Sequence, residues 1–263
     1  IWRDTLVEDG YEPGSVLKIA TLSAAIDSGH YNPNEYYKSG SVQVGDKKIS
    51  DWQTSGWGTI PLSQAFARSS NVGMVKLEQE MGPSVWKKYI QKFGFLKKTG
   101  IELPGEVPGT LQYTRPLDQA TTSFGQGINV NVMQMLQMTS AIANNGTMVK
   151  PQILAGVGQR QTIKPISAGK PIKASTAKKV LQNMEDVVYQ KYGTGQVYQI
   201  PDYKVAVKTG TAQITAPNGG YLTGANNYIF SVAGIAPADN PKYILYITMK
   251  QPQQMTDSAE TIL

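Results

Sequence analysis

The stretch that constrains the fold most is the run of residues 16–26, which is apolar on nearly every side. Pro13 and Gly14 come directly before this run and cannot continue a helix backwards, so they mark where it starts. Gly29 is placed to end it. A helix without a polar face has to be surrounded by protein. The sequence therefore predicts a buried helix over residues 15–28, around which the rest of the chain packs.

Hydrophobic periodicity divides the chain into a helical part and a strand part. Four later stretches are predicted as helices: residues 72–81, 83–93, 130–144 and 175–189. A short helix is also predicted at 61–67, with Pro61 in its first turn. Strands are predicted within 42–49 and 148–157, and as β-branched and aromatic runs at 205–207, 228–235 and 243–249. Helices first and strands last predict an α+β fold, in which an antiparallel sheet flanked by helices packs against a mostly helical lobe.

Composition excludes several kinds of site. The 263 residues contain no cysteine, which rules out a disulfide framework, a zinc–thiolate site and a cysteine nucleophile. The single histidine, His30, cannot make a multi-histidine metal site. No apolar run approaches the ~20 residues that span a bilayer. The formal charge of +6 favours anionic partners, but the basic residues are scattered, which argues against a nucleic-acid site.

Three short motifs carry the residue types that chemistry needs. They are Ser15-Val16-Leu17-Lys18 at a helix start, Ser69-Ser70-Asn71 between two helices, and Lys208-Thr209-Gly210-Thr211 on a strand. Lys18 stands one helical turn from Ser15, so its amine is predicted to reach that hydroxyl. A serine needs a base to become a nucleophile. A free lysine has a pKa of about 10.4, so acting as a base near pH 7 requires a downward shift of ~3 units, or roughly 4 kcal/mol.

The order and context of these motifs resemble the serine penicillin-recognising enzymes. Further segments resemble class B penicillin-binding proteins, and among them the penicillin-binding protein 2x type. These segments are Tyr-Glu-Pro-Gly-Ser at 11–15, Ala-Arg-Ser-Ser-Asn-Val-Gly-Met at 67–74, Ser-Phe-Gly-Gln-Gly at 123–127, Lys-Thr-Gly-Thr-Ala-Gln at 208–213 and Asn-Gly-Gly-Tyr-Leu at 218–222. The resemblance covers essentially the whole chain, and it implies the β-lactamase/transpeptidase-like fold.

The resemblance also implies a role for each motif residue. The catalytic group is Ser15 as nucleophile with Lys18, Ser69, Asn71 and Lys208 around it. Ser69 would relay a proton between Lys18 and the leaving group. The substrate-binding group comprises Thr209, Gly210, Thr211, Gln213 and Trp52. The backbone N–H groups of Ser15 and Thr211 would form the oxyanion hole.

The implied activity is that of a D,D-transpeptidase, which cross-links peptidoglycan stem peptides through a serine acyl-enzyme and is a target of β-lactam antibiotics. No metal or cofactor is needed. Expected partners are stem peptides ending in D-Ala-D-Ala, β-lactams, and cell-wall synthesis or divisome proteins. The expected location is the extracytoplasmic face of the bacterial membrane, with contact to the bilayer only through a segment absent from this chain.

Two alternatives share the fold and the motifs. One is a serine β-lactamase, which has to hydrolyse its acyl-enzyme; no Glu-x-x-Leu-Asn segment is present to activate water, and Asn71 differs from the type that carries valine there. The other is a β-lactam sensor or a scaffold that keeps the pocket without transferring the acyl group.

Residues 1–263 are expected to form one transpeptidase domain, truncated at the N-terminus and near the C-terminus, with an incomplete central sheet.

Overall fold

Helices form most of the regular structure of the protein, which was obtained as a computed structural model. The structure describes residues 3–158, 161–216, 218–224, 226–255 and 257–263. Within these ranges eight α-helices occur, α1 to α8 in chain order: Thr5–Glu8, Lys18–Ser28, Asn71–Met81, Pro83–Lys92, Pro116–Thr122, Val132–Ala143, Ala174–Tyr189 and Ala259–Ile262. Turns of 3₁₀ helix cover Gly14–Leu17, Leu62–Gln64 and Gln196–Tyr198. Five of the six predicted helices are present within a few residues of their predicted ends, whereas the short helix predicted at 61–67 is only the 3₁₀ turn Leu62–Gln64.

Most strands are short, and one sheet is large. The strands β1 to β13 are Tyr36–Lys38, Ser41–Val44, Lys47–Ser50, Thr59–Pro61, Thr110–Leu111, Ile128–Asn129, Met148–Val149, Gly156–Val157, Gln161–Thr162, Ser167–Gly169, Ala206–Gln213, Tyr228–Ala236 and Tyr243–Lys250. The predicted meander is confirmed: β11, β12 and β13 are antiparallel neighbours, with Thr211 opposite Phe230. The predicted hairpin at 42–49 is the pair of β2 and β3.

Two further local predictions are wrong. Residues 148–157 do not form one strand, because Met148–Val149 pairs with β10 while Gly156–Val157 pairs with β9. The first helix does not begin as an α-helix at Ser15, because Gly14–Leu17 is a tighter 3₁₀ turn that continues into α2 at Lys18. Both errors arise where distant contacts override a local pattern.

Helix α2 is the centre of the fold, as its apolar sequence predicted. The eight residues from Lys18 to Ala25 are all buried. Gly29 ends the helix in the left-handed conformation, at φ 82°, and its N–H bonds to the carbonyls of Ala25 and Ile26. Helices α3, α4 and α7 pack around α2, so the helix is enclosed by protein.

The functional residues lie where the helical lobe meets the sheet. Strand β11 is the edge strand on this side, and it packs against the 3₁₀ turn Gly14–Leu17. The segment before α3 closes the opposite wall, since Lys18 and Lys208 both donate hydrogen bonds to Ser69. Among the described helices, none has the length and apolarity that crossing a bilayer requires.

Candidate active site

Ser15 lines a cleft of about 890 Å³ and lies in the 3₁₀ turn that leads into α2. Gly14 before it has φ 56°, and a Cβ there would lie 2.7 Å from the carbonyl oxygen of Thr211. The Gly14 N–H donates to the carbonyl of Gly125 at 3.1 Å. Glycine is therefore required at position 14, because the turn has to pass between β11 and the 123–127 loop.

Lys18 is fully buried directly beneath this turn. Its Nζ donates to the carbonyl oxygen of Ser69 at 2.7 Å, to the hydroxyl of Ser69 at 3.2 Å and to Oδ1 of Asn71 at 2.8 Å. Within the described residues, no hydrogen bond joins this amine to the hydroxyl of Ser15. Proximity of Lys18 to Ser15 was predicted from helix geometry, whereas the hydrogen bonds go to the second motif.

Ser69 lies between two amines. Its hydroxyl accepts from Nζ of Lys18 at 3.2 Å and from Nζ of Lys208 at 3.0 Å. Its backbone is in the left-handed region, with φ 55°, which is uncommon for serine. Ser70 follows as the N-cap of α3, and its side chain accepts from the N–H of Gly73. A hydroxyl held between two lysines can pass a proton from one to the other.

The two lysines have shifted proton affinities for the same main reason. Burial lowers the pKa of Lys18 well below its ordinary value, and the charge of Lys208 lowers it further, while Asp51 opposes the shift. Burial lowers the pKa of Lys208 to about 7, against a raising effect of Glu260. Taking a charged amine out of water favours its neutral form. Burial therefore favours the neutral form of Lys18, which is the form that can accept a proton.

Strand β11 presents the third motif along the cleft. Lys208 is fully buried and donates to the carbonyl of Thr209 at 2.8 Å as well as to Ser69. The hydroxyls of Thr209 and Thr194 lie 3.3 Å apart. Gly210, Thr211 and Gln213 also line the cleft. A carboxylate bound in this part of the cleft would accept hydrogen bonds from the threonine hydroxyls and lie near the amine of Lys208.

The backbone of Thr211 faces Ser15. Its carbonyl oxygen lies beside Gly14, on the side of β11 away from β12. In an antiparallel strand the N–H and C=O of one residue point to the same side. The N–H of Thr211 therefore also points toward the turn that carries Ser15. Two N–H groups that face one position can hold an oxyanion, which is the role predicted for Ser15 and Thr211.

All ten residues predicted for the catalytic and substrate-binding groups come together here. Eight line the cleft, and Lys18 and Lys208 lie beneath its floor. Trp52, 63% exposed, forms part of the rim, where its Nε1 donates to the carbonyl of Arg68 at 2.9 Å. Arg68 in turn stacks on the rings of Trp57 and Tyr192. The loop-rich segment after β3 is thus tied to the second motif.

Three polar residues at the site were not predicted from the sequence. Asp51, which also lines the cleft, holds the turn before α3. Glu12 is buried and accepts from the N–H of Gly127 and the hydroxyl of Tyr221, which ties together three segments around Ser15. Thr194 reaches the cleft from the loop after α7. The partners of each lie far away along the chain, so no local pattern indicates them.

The geometry matches a known family. The family model of the penicillin-binding protein transpeptidase domain matches residues 1–262. The chain belongs to this family. The predicted α+β fold of the penicillin-recognising serine enzymes and the predicted class B resemblance are confirmed.

Individual relatives of the transpeptidase family give the same result. Stage V sporulation protein D of Bacillus subtilis is 36% identical over 262 residues, covering 95% of this chain and 40% of that protein. The probable peptidoglycan D,D-transpeptidase PenA of Neisseria flavescens is 30% identical over 253 residues, covering 95% of this chain and 60% of that protein. The chain thus spans less than two thirds of the length of these relatives.

Solved structures of transpeptidase-family proteins superpose closely on the chain. Penicillin-binding protein 2X of Streptococcus thermophilus has a TM-score of 0.90 at 36% identity, covering 97% of this chain and 40% of that one. Penicillin-binding protein 3 of Mycobacterium tuberculosis, complexed with aztreonam, has a TM-score of 0.88 at 33% identity, covering 98% of this chain and 62% of that one. The shared fold therefore extends over nearly all of the chain.

Proposed function

We propose that the chain carries the D,D-transpeptidase activity of a class B penicillin-binding protein. The observation that carries this proposal is the hydroxyl of Ser69 held between the buried amines of Lys18 and Lys208, beside a cleft that Ser15 lines. This arrangement supplies a nucleophile, a base and a proton relay without a histidine. The name of the Neisseria relative, a probable peptidoglycan D,D-transpeptidase, supports the reaction class.

The first half of the reaction makes an acyl-enzyme. Oγ of Ser15 attacks the carbonyl carbon of the penultimate D-Ala, and its proton passes to neutral Lys18. The oxyanion that forms is held by the N–H groups of Ser15 and Thr211. The C–N bond then breaks, and the departing D-Ala amine receives a proton from Lys18 through Ser69. The acyl group remains as an ester on Ser15.

The second half returns Ser15 to its starting state. The amine of a neighbouring stem peptide attacks the ester carbonyl, and a proton from that amine reaches the Ser15 oxygen as the ester bond breaks. The product is a new amide, which is the cross-link.

Before acylation, the hydroxyls of Thr209 and Thr211 and the charge of Lys208 hold the terminal carboxylate of the donor. Gly210 lets the donor backbone lie against β11, and Asn71 holds Lys18 in place.

β-Lactams would enter as analogues of the acyl donor. Attack by Ser15 opens the lactam ring, and the leaving nitrogen stays tethered to the acyl group, so Ser15 remains blocked. A related solved structure is complexed with aztreonam, which supports binding of this ligand class in a cleft of the same fold. Peptidoglycan as a partner places the proposed activity on the extracytoplasmic side of the bacterial membrane, with other cell-wall synthesis or divisome proteins as neighbours.

A thioester acyl donor whose leaving group is a D-α-mercapto acid, in the place of the terminal D-Ala, tests the proposal. We expect release of the thiol, and in the presence of a D-amino acid we expect a product in which that amine carries the acyl group. Ser15→Ala should show neither. Acylation of Ser15 without transfer to any amine would indicate a sensor. Sustained hydrolysis of nitrocefin over many cycles per minute would indicate a β-lactamase and would contradict the proposal.

A further inference from the structure

The carboxylate of Asp51 is the least exposed acidic group that lines the cleft. It follows β3 and is only 2% exposed. Its Oδ1 accepts from the hydroxyl of Ser70 at 2.9 Å and from the N–H of Val72 at 3.0 Å. Its Oδ2 accepts from the N–H of Gly40 at 2.8 Å. Three donors on one buried carboxylate fix its place.

These bonds hold the segment that binds Lys18. Ser70 and Val72 flank Asn71, whose Oδ1 accepts from Lys18, and Ser70 follows Ser69, which accepts from Lys18 twice. Ser69 is in the left-handed region, which costs energy for a residue with a side chain. A conformation of this kind persists only when its surroundings enforce it. Asp51 supplies two of the bonds that enforce it.

The charge of Asp51 also acts on Lys18. The charged groups that influence Lys18 are Lys208, which disfavours its protonated form, and Asp51, which favours it. Glu260 acts on Lys208, and Tyr37 lies near both Asp51 and Arg68. Within the described residues no carboxylate makes a salt bridge with Lys18, so Asp51 balances the two lysines from beyond contact distance.

We propose that Asp51 is a positioning residue for proton transfer at Ser15: it holds the second motif against Lys18, and its negative charge acts on the amine that this motif holds. The proposal rests on the proposed function, because it takes Lys18 as the base. It gives Asp51 an electrostatic role in addition to a structural one, and the two roles have different signatures in a pH profile.

Asp51→Asn separates the two roles. The second-order rate of acylation by benzylpenicillin is measured from pH 5.5 to 10. Removing the negative charge makes Lys18 easier to deprotonate, so the acidic inflection should move to lower pH by about one unit. The plateau should fall ~10-fold, because an amide cannot accept all three hydrogen bonds. Asp46→Asn, an exposed change of the same charge in the β2–β3 turn, is the matched control and should leave the inflection unmoved.

Three outcomes decide the proposal. A lower plateau with an unmoved inflection in Asp51→Asn overturns the electrostatic role, and so does an inflection that Asp46→Asn moves equally. If near-ultraviolet circular dichroism shows that Asp51→Asn is unfolded, Asp51→Glu takes its place: it keeps the charge, so it should lose rate without moving the inflection, and a moved inflection contradicts the proposal. If benzylpenicillin does not acylate Ser15 in the wild type, the proposed function itself is contradicted. Failure of the proposed function is thus distinguishable from failure of the Asp51 proposal.

Discussion

At the scale of single residues, the cleft depends on two lysines without exposed surface, Lys18 and Lys208. A buried amine loses its hydration, and within the described residues neither lysine forms a salt bridge in return. Burying the charged form of either amine costs stability. The same loss of hydration lowers the pKa of each lysine. A base that works near neutral pH and a loss of conformational stability are two results of the same burial.

Lys208→Met should stabilise the protein while impairing acylation. The pKa of Lys208 is about 7 in the folded state and near 10.5 in the unfolded state, so the unfolded chain binds more protons between these values. The free energy of unfolding of the wild type therefore rises with pH from 7 to 10. Lys208→Met removes the Lys208 part of that slope, and at pH 7 we expect it to be more stable by on the order of 2 kcal/mol.

Denaturant unfolding at pH 7 and at pH 10 measures this effect. Lys179→Met, an exposed change in α7 with the same loss of charge, is the control and should stay within about 0.5 kcal/mol of the wild type. If Lys208→Met is less stable than the wild type at pH 7, the hydrogen bonds of Lys208 to Ser69 and Thr209 outweigh its desolvation, and the account of the two lysines is wrong.

At the scale of elements, the position of Ser15 depends on close backbone contact between segments. The turn before α2 passes between β11 and the 123–127 loop, and glycines make both contacts possible. A Cβ on Gly125 would lie 2.1 Å from the carbonyl oxygen of Gly14, and Gly125 has φ 87°. Two loops that touch through their backbones can shift only together, so Ser15 is held from both sides.

Two glycine-to-alanine changes separate this contact from backbone conformation alone. Gly29 has a similar φ of 82° but nothing within 4 Å of a Cβ, so Gly29→Ala should cost about 1 kcal/mol. Gly125→Ala adds a clash with backbone, so it should cost about 3 kcal/mol or more and also slow acylation. Thermal unfolding and acylation kinetics measure both. Equal costs, with normal acylation in both variants, would show that the contact does not position Ser15.

At the scale of the whole molecule, much of the fold was predictable because its signals are local. The apolar run of α2 and Gly29 at its end predicted the central helix, and the β-branched runs predicted the β11–β13 meander. The three motifs were predictable because each occupies four residues or fewer and their order is specific. The motifs contain eight of the ten residues predicted for the site, and the other two, Gln213 and Trp52, lie outside them.

The other features of the fold and of the site were not predictable, because they depend on contacts between positions that are distant in the sequence. The hydrogen bonds of Lys18 go to residues 51 and 53 positions further on, not to the serine one turn away. The left-handed Ser69 and the three donors around Asp51 exist only once α2, α3 and the β2–β3 hairpin have packed together. Short strands such as Met148–Val149 take their conformation from a partner, so their own sequence carries little signal.

The central claim, that Ser15 is the nucleophile of the cleft, is tested most directly by intact mass spectrometry after incubation with benzylpenicillin, followed by peptide mapping. We expect one adduct per chain, on the peptide that contains Ser15, in the wild type and in the control Ser63→Ala. We expect none in Ser15→Ala, provided that this variant is folded. An adduct on any other residue, or one that persists in Ser15→Ala, would contradict the account.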